Sequence, residues 1–119
     1  MKKIKTTLFY NPRCSKCRQA LCFLQENDIK PEIIEYLKTP PTEKELSVIL
    51  HKLGLKPKEL IRTKEQLFIK KYKGKDYSDK DWMKVMCRNP ELIERPILIE
   101  GDKAVIGRPP GKIFSIIKK

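Results

Sequence analysis

The chain has no apolar run approaching the roughly 18 residues of a membrane-spanning helix, so no membrane-embedded element is expected. Its start, Met1-Lys2-Lys3-Ile4-Lys5, is basic like a signal peptide, but no long apolar core or small-residue cleavage site follows. Histidine is nearly missing. The single one, His51, has no acidic or cysteine neighbour at helical spacing and reads as a surface or packing residue rather than a base. Internal repeats and low-complexity segments are absent, and neither a recognition-helix motif nor an aromatic-interleaved basic strip marks a nucleic-acid module. Disulfide staples are not required either, because 119 residues with 39% hydrophobic composition suffice for one domain, 1–119, with one core. Four cysteines without an export signal predict a reducing, cytoplasmic setting.

What is present in excess is positive charge, a formal net +12. Spread over the whole length and ending in a short basic tail, Lys118-Lys119, it reads mostly as solvated surface, with an anionic partner as the matching ligand class. The stretch Phe9 to Arg18 is more specific. Ile4 to Tyr10 reads as a strand closed by the turn pair Asn11-Pro12, and Cys17, Ala20, Leu21 and Leu24 recur at the spacing of a helix face. Cys14 therefore falls where a strand hands over to a helix N-terminus. Unpaired N–H groups and the helix dipole favour a thiolate or an oxyanion there. Arg13, Lys16 and Arg18 add positive charge, so Cys14 is a candidate nucleophile of depressed pKa. Cys14-x-x-Cys17 beside such a junction is a redox signal. As half of a zinc site it lacks partners, because Cys22, Cys87 and His51 show no matching paired spacing, so no metal is expected.

The rest of the chain completes an α/β pattern. Asn27-Asp28 ends the first helix and Pro31 to Glu35 reads as a second strand, parallel to the first through a right-handed crossover. An inserted helical block over about 38–90 follows. Thr42 and Glu45 form a capping box, Gly54 fits the position after a helix end, Pro57 to Leu60 and Lys64 to Lys71 read as short helices, and Ser78 caps another carrying Trp82, Val85 and Met86 inward. Cys22 and Cys87 are expected to pack as small apolar groups. Pro96 to Ile99 and Lys103 to Ile106 form a hairpin around Gly101-Asp102, and a last helix from about Pro109 to Ile117 covers the sheet. The order, βαβ, helical block, ββα, is a thioredoxin-like mixed four-stranded sheet. In that arrangement Pro96 starts the third strand facing the cysteine loop, and a cis bond is expected before it.

Three arginines, Arg62, Arg95 and Arg108, each lie at the end of an element, where planar guanidinium forks suit a tetrahedral oxyanion. Here the sequence resembles the glutaredoxin-coupled arsenate reductase family, in the thioredoxin-like superfamily that also holds Spx-type transcription regulators. The resemblance runs over nearly the whole chain. It rests on Tyr10-Asn11-Pro12-Arg13-Cys14, Glu35-Tyr36-Leu37-Lys38-Thr39-Pro40-Pro41, Leu60-Ile61-Arg62, Glu94-Arg95-Pro96-Ile97 and Ile106-Gly107-Arg108-Pro109-Pro110. It implies Cys14 as the nucleophile on arsenic and Arg62, Arg95 and Arg108 as binders of the arsenate oxygens, with Asn11, Arg18 and Pro96 shaping the site. It also implies no bound cofactor: glutathione attacks, arsenic falls to the trivalent state, and glutaredoxin recycles the enzyme.

The best-known arsenate-reducing branch has His where Tyr10 stands and Ser where Cys17 stands. Spx-type proteins carry C-x-x-C but generally lack the arginines matching Arg62 and Arg108. This chain combines the anion-binding arginines with a second cysteine, so Cys17 is expected to resolve oxidised Cys14 as a disulfide, with thioredoxin or glutaredoxin as reductant. The alternatives are an Spx-type redox sensor binding RNA polymerase and a general thiol–disulfide oxidoreductase. A monomer is expected.

Overall fold

The computed structural model of the chain describes residues 6–117. Ile4 and Lys5 of the expected first strand, and the Lys118-Lys119 tail, lie outside the described residues. Two compact units are present, Met1–Thr39 with Arg95–Lys119, and Pro40–Glu94.

The first unit is built on strand β1 (Thr6–Phe9). It pairs in parallel with β2 (Glu32–Ile34) and antiparallel with β3 (Ile97–Glu100), which pairs antiparallel with β4 (Lys103–Ile106). The sheet order is β2-β1-β3-β4, the mixed four-stranded arrangement expected. Helix α1 (Ser15–Glu26) connects β1 to β2. Side chains alternate along β1, so Leu8 faces a core cluster with Ala20, Leu24, Leu98 and Ile113, all fully buried. Burial of each of the four larger side chains contributes about 1.5–3 kcal/mol. On the other face Phe9 stacks on the fully buried Tyr36, ring centroids 6.1 Å apart. Asn27-Asp28 does end α1: Asp28 takes a left-handed φ of 59° and the Ile29 N–H turns back to the Leu24 carbonyl at 2.9 Å.

The closing segment differs from expectation. Pro110–Ser115 is a 3-10 turn rather than an α-helix. The Pro-Pro-Gly start removes early N–H donors, and Pro110 and Ile113, one 3-10 turn apart, are its buried side chains. Phe114 is exposed but its ring lies 5.5 Å from Phe23. Cys22 is also a correction. It is exposed, because α1 buries Cys17, Ala20 and Leu24 and Cys22 stands about 140° around the helix from Cys17.

Gly107 is buried between β4 and this turn, and its N–H reaches the Pro96 carbonyl at 2.8 Å. A Cβ there would meet Pro96 Cγ at 3.0 Å and Ile113 Cγ2 at 3.3 Å. Gly107→Ala is therefore expected to lower stability by about 1–3 kcal/mol. The urea midpoint checks this, and an unchanged midpoint would mean the two neighbours yield without cost.

The second unit is helical. Its α2 (Glu43–Leu53) starts with the reciprocal Thr42–Glu45 box, at 3.1 and 2.9 Å, and stops at Gly54, φ 70°. After a 3-10 turn at Pro57–Leu60 come α3 (Gln66–Lys71) and α4 (Asp79–Arg88), the last capped by Ser78 and Asp81. Trp82 is buried against Phe68, with Lys58 Nζ 5.6 Å from its ring. His51 is exposed and Cys87 half-buried. A 3-10 turn at Pro90–Leu92 was not expected from the sequence. An isolated antiparallel bridge joins Ile61 to Ile93. Among the described residues no helix is long and apolar enough to cross a membrane.

Candidate active site

Strand register decides what meets at one end of the sheet. Phe9, the last residue of β1, is paired with Ile97, the first of β3, and Ile97 is paired in turn with Ile106, the last of β4. The 10–14 loop, Arg95-Pro96 and Gly107-Arg108 must therefore emerge together. The Arg95–Pro96 bond is cis, as expected, and so is Arg108–Pro109. Pro96 is fully buried.

Asn11 shapes the loop. Buried itself, it accepts the Arg13 N–H on Oδ1 at 3.0 Å and the Cys14 N–H on its carbonyl at 2.9 Å. This folds the chain so that Cys14 becomes the N-cap of α1, in extended conformation, its sulfur at the helix N-terminus. Arg18, one turn on and exposed, donates from Nη1 to the Pro12 carbonyl at 2.9 Å and ties the loop to the helix.

Cys14 is 6% exposed and Cys17 fully buried, both as free thiols. Burial pushes the Cys14 thiol up. The Cys17 backbone N–H, the Arg95 guanidinium and the Cys17 thiol, all aimed at its sulfur, outweigh that and bring it from the ordinary 9.0 down to about 7. Cys17 moves the other way, up to about 12, chiefly through burial; the Asn11 N–H opposes the rise, and the negative sulfur of Cys14 beside it adds to it. The pair thus places the more easily formed thiolate on Cys14 and keeps Cys17 a thiol. Alkylation of Cys14 by iodoacetamide, followed by peptide mass spectrometry, is expected to rise with pH through a midpoint near 7. A midpoint near 9 would remove the activated thiolate.

Arg108 completes the cluster. Its Nε donates to the Arg95 carbonyl at 2.7 Å and its Nη2 lies 3.7 Å from Cys14 Sγ. Burial disfavours the Arg95 charge, but the Cys14 thiolate and Tyr36 more than compensate, and Arg95 stays cationic. Arg95 Nε is buried and has no hydrogen-bond acceptor among the described residues. The structure thus brings together Cys14, Cys17, Asn11, Arg95, Pro96 and Arg108, with Arg18 at the edge. Arg62 lies in the second unit. There its Nη1 contacts Glu65 at 3.1 Å and its Nε contacts Glu94 at 3.8 Å, while its N–H donates to the Leu92 carbonyl at 2.7 Å. Tyr36, which the sequence reading names only within the Glu35 to Pro41 motif, belongs at the site through its effect on Arg95. The signal available for it was an aromatic residue two positions past the end of β2.

Charge in this unit is segregated. Arg13, Lys16, Arg18, Arg95 and Arg108 surround the Cys14 end. Of the acidic residues only Glu35, paired with Lys38 at 3.5 Å, lies near it. Glu26, Asp28, Glu32, Glu100 and Asp102 sit at the far ends of α1 and the strands, accompanied by Lys30 and Lys103. Such a constellation, a thiolate at a helix N-terminus between two guanidinium groups, can attack an electrophile that carries negative oxygens. Among the described residues no group of three or more His, Cys, Asp or Glu side chains converges to hold a metal.

Comparison with known proteins points the same way. The model of the ArsC family matches residues 9–116. An arsenate reductase of Neisseria meningitidis is 40% identical over 114 residues, covering 92% of this chain and 96% of its own. One from Haemophilus influenzae is 38% identical over 112 residues, covering 92% and 97%. The solved arsenate reductase of Vibrio cholerae superposes with a TM-score of 0.93 at 35% identity, covering 98% of this chain and 100% of that one. Cysteine loop, sheet and relatives agree, and the chain belongs to the ArsC family, as a thiol oxidoreductase on a thioredoxin-like fold.

Proposed function

We propose that this protein reduces arsenate, with Cys14 as nucleophile, Arg95 and Arg108 as oxyanion ligands and Cys17 as the resolving thiol. The observation that carries the reading is the contact of Arg108 and Arg95 with the Cys14 sulfur. A thiolate approaching an arsenate dianion meets repulsion, and fixed cations with N–H donors offset it as the oxygens gather charge. A disulfide exchange alone would need the thiolate but not Arg108.

The steps balance as follows. The Cys14 sulfur forms a bond to pentavalent arsenic and one arsenate oxygen leaves as water after taking up protons. Once Cys14 is esterified its negative charge is gone, and with it the main electrostatic brake on Cys17 ionisation. Cys17 then attacks Cys14 Sγ, the S–As bond breaks with its electron pair going to arsenic, and arsenite departs with arsenic trivalent. Two thiols have become one Cys14–Cys17 disulfide, which glutathione/glutaredoxin or thioredoxin reduces. Arg62 enters through the family resemblance, which implies a third guanidinium on the same substrate.

The test is an NADPH-coupled assay with arsenate, comparing the glutathione/glutaredoxin and thioredoxin systems, together with mass spectrometry after one turnover. The wild type is expected to consume NADPH only with arsenate present and to show the Cys14–Cys17 bond. Glutathione fixed on Cys14 in its place would remove the resolving role of Cys17, and no arsenate dependence would remove the substrate. Arg62→Ala is expected to raise the arsenate KM.

A further inference from the structure

The arginines singled out by the sequence are held in different ways. Arg62 is paired with two carboxylates, Glu65 and Glu94. Arg95 has no carboxylate partner among the described residues, and its buried Nε meets no acceptor there. A guanidinium on a long stem keeps one aim only when its donors are taken up, so another group must hold it. The sheet register points to that group. Phe9, at the end of β1, pairs with Ile34 on one side and Ile97 on the other. Tyr36 lies two residues past Ile34 and Arg95 two before Ile97, so both leave the sheet at the same end, on either side of β1. The Tyr10 N–H, bonded to the Ile34 carbonyl at 2.9 Å, carries the β1–β2 pairing one step further toward Tyr36.

We propose that Tyr36 is a positioning residue of the site, its buried hydroxyl holding the Arg95 guanidinium against the Cys14 sulfur. The consequence for turnover rests on the arsenate reduction proposed above; the consequence for the thiolate does not.

The Tyr36 ring is fixed by packing. It is fully buried and stacked on Phe9, with centroids 6.1 Å apart and planes 17° from parallel, which seats it over the end of β1. Its hydroxyl oxygen is cut off from solvent. The group it meets is the Arg95 guanidinium, which also meets the Cys14 sulfur. A guanidinium has only N–H groups to give, so the phenol oxygen accepts. The choice of a phenol has a consequence for charge. A carboxylate in its place would hold Arg95 but cancel the charge that a thiolate and an oxyanion need. A phenol, neutral at physiological pH, aims the fork and leaves that charge whole. Arg108 grips the Arg95 carbonyl at 2.7 Å, so the main chain and the side chain of Arg95 are held by different groups.

Tyr36→Phe removes the oxygen and keeps the ring on Phe9. The Cys14 alkylation midpoint is expected to rise, by less than in Arg95→Ala. With it kcat/KM for arsenate should fall about tenfold, the scale of one lost contact to a charged group. Lost packing would act whether or not Arg95 is present, so a double-mutant cycle is decisive. In the Arg95→Ala background Tyr36→Phe should change kcat/KM by less than about twofold and leave the midpoint where Arg95→Ala puts it. In the Arg108→Ala background the loss of about tenfold should persist. Should Tyr36→Phe fold poorly, 4-fluorophenylalanine placed at position 36 by codon suppression fills the hydroxyl's space with a poor acceptor. It is expected to give the same rise and the same loss. An unchanged or lowered midpoint, or an undiminished loss without Arg95, would overturn the proposal. If the midpoint rises as expected while arsenate drives no thiol oxidation in the wild type, the anchor stands and the arsenate reading fails.

Discussion

Cys14→Ser is expected to abolish arsenate-dependent NADPH oxidation, by about a thousandfold or more in kcat with either reductant system. The serine hydroxyl is nearly the same size as the thiol, so the buried N-cap position keeps its packing. What changes is ionisation. The donors that bring the Cys14 sulfur down to about 7 cannot bring an alcohol into that range, so no nucleophile is present at neutral pH. Neither the S–As bond nor the disulfide can then form. Equilibrium binding of arsenate, measured by calorimetry, should persist, because Arg95 and Arg108 remain. Retained turnover in Cys14→Ser would show that another group attacks arsenic, and the assignment of the nucleophile would be lost.

The second large effect belongs to Arg108. Arg108→Ala is expected to lower kcat/KM for arsenate by about 10²–10³-fold, the range seen when one oxyanion donor is removed from a preorganised site. Its guanidinium both approaches Cys14 Sγ, at 3.7 Å, and grips the Arg95 carbonyl, at 2.7 Å, so the substitution removes one ligand and loosens the other. Arg108→Lys restores the charge without the planar fork and should recover only part of the loss. The alkylation midpoint of Cys14 reports on both arginines. Arg95 and Arg108 each place a cation at the sulfur, so Arg95→Ala and Arg108→Ala should both raise the midpoint. Similar kcat/KM in wild type and Arg108→Ala would mean that this guanidinium serves the loop rather than the substrate.

The features legible in the sequence were those whose signals are local. Thr42 with Glu45 names a helix start because both members of the box lie within one turn, and Ser78 names another as an N-cap, its box partner Asp81 emerging from the structure. Gly101-Asp102 names the hairpin, and β4 occupies Lys103–Ile106 as expected. The gathering of Arg95 and Arg108 at Cys14 was legible at one remove, since strand order and hairpin register carry both to the end of the sheet where β1 stops. The surroundings of Arg62 were not legible. Glu94 is brought to it by the isolated Ile61–Ile93 bridge, a pairing with no turn signal between its halves. Cys22 was misplaced because its residue type favours burial, while its angle on α1, set by which stripe meets the sheet, decides against it. The closing 3-10 turn was read as an α-helix because apolar residues near its end fit either period, and only the buried Pro110 and Ile113 reveal the tighter one.

The gathering of arginines and lysines at one end of the first unit, with most of its carboxylates at the other, also acts before any contact is made. Within a Debye length, about 8 Å at physiological ionic strength, an approaching anion senses that end as a field rather than as separate groups. Arsenate and an acidic thiol would both be drawn to the same mouth, and so would compete for it during diffusion. Added salt therefore weakens capture of both reactants together and leaves the bond-making steps inside untouched.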